Sequence, residues 1–226
     1  MKKTISLSLI TSLVLMTGFI FLEPETVQSV ADDVNVSLTV TSEISISSPS
    51  DVDMGSMQGL TNDSATGECT WTVITTDSAG FSMTLEESDA APAMSGQSEG
   101  DSFQDYTESD AGTPDYDWSV EDSTSQFGFT VEPETDADAV QAFLDDGASA
   151  CNTGATQTTD KCWLGFDGTN AINVINRSSE TSYEGEDEKV KFKAELYNSD
   201  GVPNDANGVL VEDTYQATIT ATATAN

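Results

Sequence analysis

Histidine is absent from the 226 residues. That single absence removes the commonest general base, the usual catalytic triads and most transition-metal sites. Cys69 therefore has no imidazole to activate it as a nucleophile. The chain also holds no Gly-x-Ser-x-Gly, no phosphate-cradling glycine loop and no Ser-x-x-Lys. Acidic pairs such as Asp145-Asp146 and Glu108/Asp110 have the residue type of a glycosidase pair, but 40 acidic side chains generate such pairs by composition. The protein is read as no enzyme, with no catalytic and no cofactor-binding residue assigned.

Positive charge is nearly as scarce. Seven Lys and Arg face the 40 acidic residues, for a formal net charge of −33. Such a surface repels phosphate backbones, so nucleic acid is excluded as a partner. A solvated, self-repelling coat suited to saline water, where screening is strong, is the plainer account of the acidity; binding of divalent cations is the sharper one. Calcium is the ion to consider. Asp200, Asn204, Asp205 and Asn207 lie in one loop with Gly201 and Gly208, offering hard oxygen ligands. Their order does not fit an EF-hand, and Asn, Asp and Gly are also ordinary turn formers.

What is present begins with Lys2 and Lys3, an apolar run from about Ile5 to Leu22, and small residues at Ser29 and Ala31. This is a secretory signal over residues 1–31, with cleavage expected between Ala31 and Asp32. An uncleaved membrane anchor competes, because the run is long enough to span a bilayer. Gly18-Phe19 with Glu23 mimics a prepilin cleavage site, but Pro24, Glu25 and Asp32 stand where a pilin needs its long apolar helix. The signal carries two charges of each sign, so the mature chain keeps −33 over one expected domain, 32–226.

Cysteines number three, which in a secreted chain suggests oxidising surroundings. Cys151 and Cys162 enclose a Thr-, Gly- and Asn-rich loop that a disulfide would close. Cys69 is then odd: it remains a free or crosslinking thiol, or pairs with either of the others. Asn35, Asn62 and Asn176 begin Asn-x-Ser sequons, which matter only in a host that glycosylates.

Alternation of apolar and hydroxyl residues dominates the mature chain and predicts strands. Val34, Val36, Leu38 and Val40 share one parity, continued by Ile44 and Ile46. Cys69 to Leu85 reads as a hairpin turning at Asp77-Ser78-Ala79-Gly80. Residues 86–117, dense in Asp, Glu and Ser, read as a long acidic surface loop pinned by Phe103, Tyr106 and Tyr116. Strand returns from Trp118 to Val131. Thr135 as cap, the stripe Ala139, Val140, Phe143 and Leu144, and the stop at Gly147 predict one short helix over 136–146. Ile172 to Ile175 and Val190 to Tyr197 follow as strands, the second with Lys191, Lys193 and Glu195 outward as if guarding an edge. Tyr215, Ala217, Ile219, Ala221 and Ala223 form the apolar side of a terminal strand whose other side is almost all Thr.

The succession VNVSLTVTSEISISSPSDVDMG, CTWTVITTDSAGFSMTL, DYDWSVEDSTSQFGF, SACNTG, KCW, VKFKAEL and TYQATITATATA resembles uncharacterised secreted surface proteins of candidate-phyla-radiation (Patescibacteria-type) bacteria, a likeness that implies no activity. More loosely, the opening strand with its late Met-Gly and the closing Tyr-x-x-Thr-Ile-Thr-x-Thr are similar to spore coat protein U and archaic chaperone-usher pilin subunits. That similarity implies a sandwich completed by a neighbour's extended segment, although the cysteine those subunits carry in the opening strand region is missing here. The expected fold is an all-β antiparallel sandwich, Ig-like or pilin-like, with one short helix and the acidic insertion. The expected function is a non-catalytic secreted surface subunit of a coat or fibre. The alternative is an adhesion or glycan-binding module that uses the acidic loop and exposed aromatics. Partners are then other copies of the chain, or a surface glycan or protein, with membrane contact only through an uncleaved signal.

Overall fold

The computed structural model describes residues 34–88, 92–168, 170–198 and 210–226. The chain divides into two units, Met1–Val40 and Thr41–Asn226. The signal segment and the calcium candidates Asp200, Asn204, Asp205 and Asn207 lie outside the described residues.

Of the first unit, residues 34–40 are described. They have no regular secondary structure, and the side chains that alternation marks as apolar stand in solvent: Val34 is 85 % exposed, Val36 90 %, Leu38 89 % and Val40 80 %. The expected opening strand is not formed over 34–43, where residues of both parities are exposed. Only its tail, Ile44–Ile46, pairs, as β1.

The second unit is almost entirely β. Nine further strands follow β1: β2 (Asp63–Thr75), β3 (Phe81–Glu87), β4 (Met94–Gly96), β5 (Ser102–Asp105), β6 (Thr124–Pro133), β7 (Ile172–Arg177), β8 (Glu186–Tyr197), β9 (Tyr215–Gln216) and β10 (Ile219–Ala225). Seven form one sheet in the order β1-β2-β8-β6-β5-β4-β9, and three form a second, β10-β3-β7. All pairings are antiparallel except β5 with β6. Inward residues of both sheets join one buried cluster. Trp71 and Val73 of β2, Phe127, Phe129 and Val131 of β6, and Val190 and Phe192 of β8 belong to it with Phe81, Met83 and Leu85 of β3. Period-2 alternation places them there, because successive strand side chains take opposite faces.

Several expectations change. Cys69 to Leu85 is no hairpin: β2 belongs to the large sheet and β3 to the small one, so the turn between them carries the chain from one sheet to the other. Gly80 makes the crossing, with φ of +85° and no room for a Cβ against the Arg177 carbonyl. Residues 86–117 are no bare loop, since β4 and β5 lie within them and Met94, Phe103 and Tyr106 are buried. Their carboxylates hold the path: Asp105 accepts from the Ala93 N–H at 2.9 Å, and Asp115 accepts from the Tyr106 hydroxyl at 3.0 Å. Strand is resumed only at Thr124, so Trp118 and Val120 precede it. The lysine-bearing β8 is no edge; it runs between β2 and β6.

The short helix is replaced by two single 3-10 turns, Asp136–Asp138 and Gln141–Phe143. The reason is competition for backbone donors. The Val140 N–H bonds the Val174 carbonyl of β7 at 3.0 Å, and Ala139 bridges Ile175, which holds the intervening backbone extended. Thr135 does not cap; its hydroxyl donates to Glu186 Oε1 at 2.7 Å. The apolar stripe is nevertheless inside, with Phe143 fully buried. Among the described residues, no helix is long and apolar enough to cross a membrane.

Candidate functional site: an apolar groove beside the last strand

The β10-β3-β7 sheet has three strands and the other sheet seven. Residues of both sheets line a groove of about 1570 Å³ within the second unit. Trp71, Phe127 and Phe192 form the aromatic part of its floor, the last two stacked with centroids 6.0 Å apart. Met54 and Met57 line one side, Ile219 and Ala221 the other. The local reasons are legible. Gly67 on β2 has no side chain, and a Cβ there would collide with Val52 and Met54, so the segment carrying the methionines lies directly on the strand. On the opposite side β10 pairs with β3 from Ile219↔Glu87 to Ala225↔Phe81; its other edge is hydrogen-bonded to no strand among the described residues, although β1 lies close to part of β10.

Tyr215 anchors the far wall. Its ring meets Phe103 edge-on at 5.3 Å, and its hydroxyl donates to the Val211 carbonyl at 2.8 Å. Burial, with Asp101 beside it, pushes its phenol up to about 12. Cys69 is the free thiol and half-buried in the floor, where desolvation pushes it up to about 11. At neutral pH it is a small apolar side chain rather than a thiolate. The rim is acidic, with Asp51, Asp53, Glu212 and Asp213, and no Lys or Arg lines the groove among the described residues.

Other sequence candidates sit elsewhere. Cys151 and Cys162 form a disulfide with Cα atoms 5.7 Å apart. Asp145 is fully buried and accepts from the Thr158 N–H and hydroxyl, at 2.8 and 2.9 Å; Asp146 is held below the usual carboxylate range by the N–H groups of Ser149, Ala148 and Ala150. Glu108 accepts from the Gly165 N–H at 2.6 Å. These carboxylates order loops. No group of three potential metal ligands occurs among the described residues.

Two polar features escaped sequence reasoning. At one end of the inner face Arg177 bonds Asp138 at 2.5 Å and Glu186 at 3.1 Å, with Glu188 fully buried beside them and neither of its oxygens hydrogen-bonded. Burial, with the neighbouring carboxylates, pushes Glu188 up to about 8. The signal was present in the parity of β8, which puts Glu186 and Glu188 on the same face as Val190. On the outer face a shallow pocket of about 430 Å³ contains Trp118, Asp160 and Lys193. Its indole is already engaged, by Tyr106 stacked at 4.2 Å, Trp163 edge-on at 5.2 Å and Lys193 Nζ at 5.0 Å.

No protein family model matches this chain, and no curated protein matches it either.

Proposed function

We propose that the protein is a non-catalytic, secreted cell-surface subunit of a coat or fibre, whose copies join by β-strand addition. In this reading the two sheets are an antiparallel, Ig-like or pilin-like sandwich lacking one strand. The segment Val34–Val40 of a second copy supplies it. The observation that supports the reading is a matched pair: an apolar groove beside the edge of β10 that bonds no strand among the described residues, and an uncharged segment whose four alternating apolar side chains are 80 to 90 % exposed. An extended segment gains main-chain hydrogen bonds from a free edge, while every second side chain enters the groove. Seven residues span roughly 23 Å at about 3.3 Å each, the length of the seven-residue β10. The disulfide fits an oxidising, extracellular setting.

The adhesion alternative draws less support. It needs exposed aromatics around residues 86–117, and Phe103 and Tyr106 are buried, while Tyr183 is the exposed aromatic among the described residues.

The test compares the mature chain with Val36→Asp/Leu38→Asp by sedimentation at high protein concentration, in low and in high salt. Expected is a larger species for the parent chain only, with Cys69 alkylated at least about tenfold more slowly in it because the groove floor is covered. A parent chain that stays monomeric in both salts, or a variant that assembles equally well, defeats the proposal.

A further inference from the structure

We infer that the joining of copies is gated by mobile cations, so that the subunits associate where salt screens their charge and separate where it does not. The inference rests on the strand-addition reading and concerns its control. Its first support is that no described cation is left over. Lys161 pairs with Asp117, Arg177 with Asp138 and Glu186, Lys189 with Glu68 and Glu132, Lys191 with Asp160, and Lys193 with Glu195. Apart from Lys2 and Lys3 these are all the basic residues of the sequence. Each is engaged within its own chain, against a net charge of −33.

The second support is where the remaining charge stands. The groove rim presents Asp51, Asp53, Glu212 and Asp213 with no described basic residue among the lining. The incoming stretch from Val34 to Ser42 is uncharged, but Asp32 and Asp33 precede it and Glu43 follows. Its apolar side chains thus meet an apolar floor, while carboxylates flanking both its ends approach a carboxylate rim. Only the α-ammonium that cleavage leaves on Asp32 stands against them, one charge against several carboxylates, so dissolved cations must supply the rest. Like charges outside a protein interior interact over the Debye length, which is about 8 Å at physiological ionic strength and about 3 Å at 1 M salt. The repulsion between two such bodies therefore falls across that range, whereas contact between uncharged side chains is left standing.

The experiment separates gating from strand addition by using two ligands for the same groove. One is the mature chain itself, its self-association followed by sedimentation velocity from about 0.05 M to about 1 M NaCl. The other is an end-capped peptide of residues 34–42, which carries no charge, its binding to Val36→Asp/Leu38→Asp mature chain followed by Trp71 fluorescence and by protection of Cys69. Expected is a rise of at least about tenfold in the chain's association constant across the series, with a change below about threefold for the peptide. Asp51→Asn/Glu212→Gln, at two exposed rim positions, should assemble at lower salt than the parent. Chain association that is flat in salt, or that rises no more steeply than peptide binding, overturns the gating and leaves strand addition standing. A peptide that fails to bind at every salt removes the strand-addition reading, and the gating with it.

Discussion

The inward row of β8 runs Glu186, Glu188, Val190, Phe192, Ala194, Leu196, and its two ends are treated in opposite ways. The charged end is closed: Glu186 and Glu188 are buried with Arg177 and Asp138. The apolar end opens, with Phe192 and Ala194 in the floor of the groove. Both ends are buried, Phe192 and Ala194 as well as Glu186 and Glu188, so the contrast lies in what stands against them, and it is the glutamates that are unusual there. The difference is that the polar end closes on charged groups of its own chain, while a groove lies against the apolar end. Buried ionic groups stabilise little in net terms, because desolvation offsets their attraction. Removing one member of such a set, however, strands the rest.

The largest effect should come from breaking the closed end. Arg177→Ala leaves Asp138, Glu186 and Glu188 facing one another without their cation, and should cost about 3 to 5 kcal/mol at neutral pH. Urea unfolding measures it, and the loss should shrink as the solution is acidified and the carboxylates take up protons. A cost below 1 kcal/mol would mean that the arrangement behaves as a surface pair.

A smaller change sharpens the same end. Glu188 has its folded pKa raised to about 8 from the ordinary 4.5. Between those values the folded chain holds a proton that the unfolded chain has released, so stability falls as pH rises through that window. Glu188→Gln should remove this slope, leaving stability near pH 4.5 little altered and raising it at pH 8. Thermal melting of both proteins across the window gives the answer. Identical slopes would place the titrating group elsewhere.

The smallest effect belongs to the segment proposed to complete the open end. Leu38 is 89 % exposed, so Leu38→Ala should alter the stability of the isolated subunit by no more than about 0.5 kcal/mol. A loss above about 2 kcal/mol, the scale of a buried leucine, would show that the segment is already packed within its own chain.

Much of the unit could be read from sequence wherever a local rule decides. Parity alone fixes the faces of β8 and β10, and Cys151 with Cys162 has the spacing of a closable loop. Three features were beyond such rules. Alternation does not say which sheet a strand joins, so the passage from β2 to β3 looked like a hairpin. The stripe from Ala139 to Leu144 was correctly apolar, but a backbone donor went to β7 rather than up a helix. β4 and β5 contribute three and four residues, too few to carry a period, and are held by carboxylates whose partners lie far along the chain. The groove itself was foreshadowed only by two cleanly alternating stretches at opposite ends of the sequence. Its lining comes from several separated parts of the sequence, an arrangement that no single stretch encodes.

The seven-residue ladder between β10 and β3 has a mechanical consequence. A pull applied along β10 acts parallel to the strand and across all seven paired positions together, so the ladder must shear as a block rather than peel one bond at a time. Because β3 is also paired on its other side with β7, the load passes onward into the sheet. A body that receives its neighbour along this edge would bear tension where it is best able to resist it.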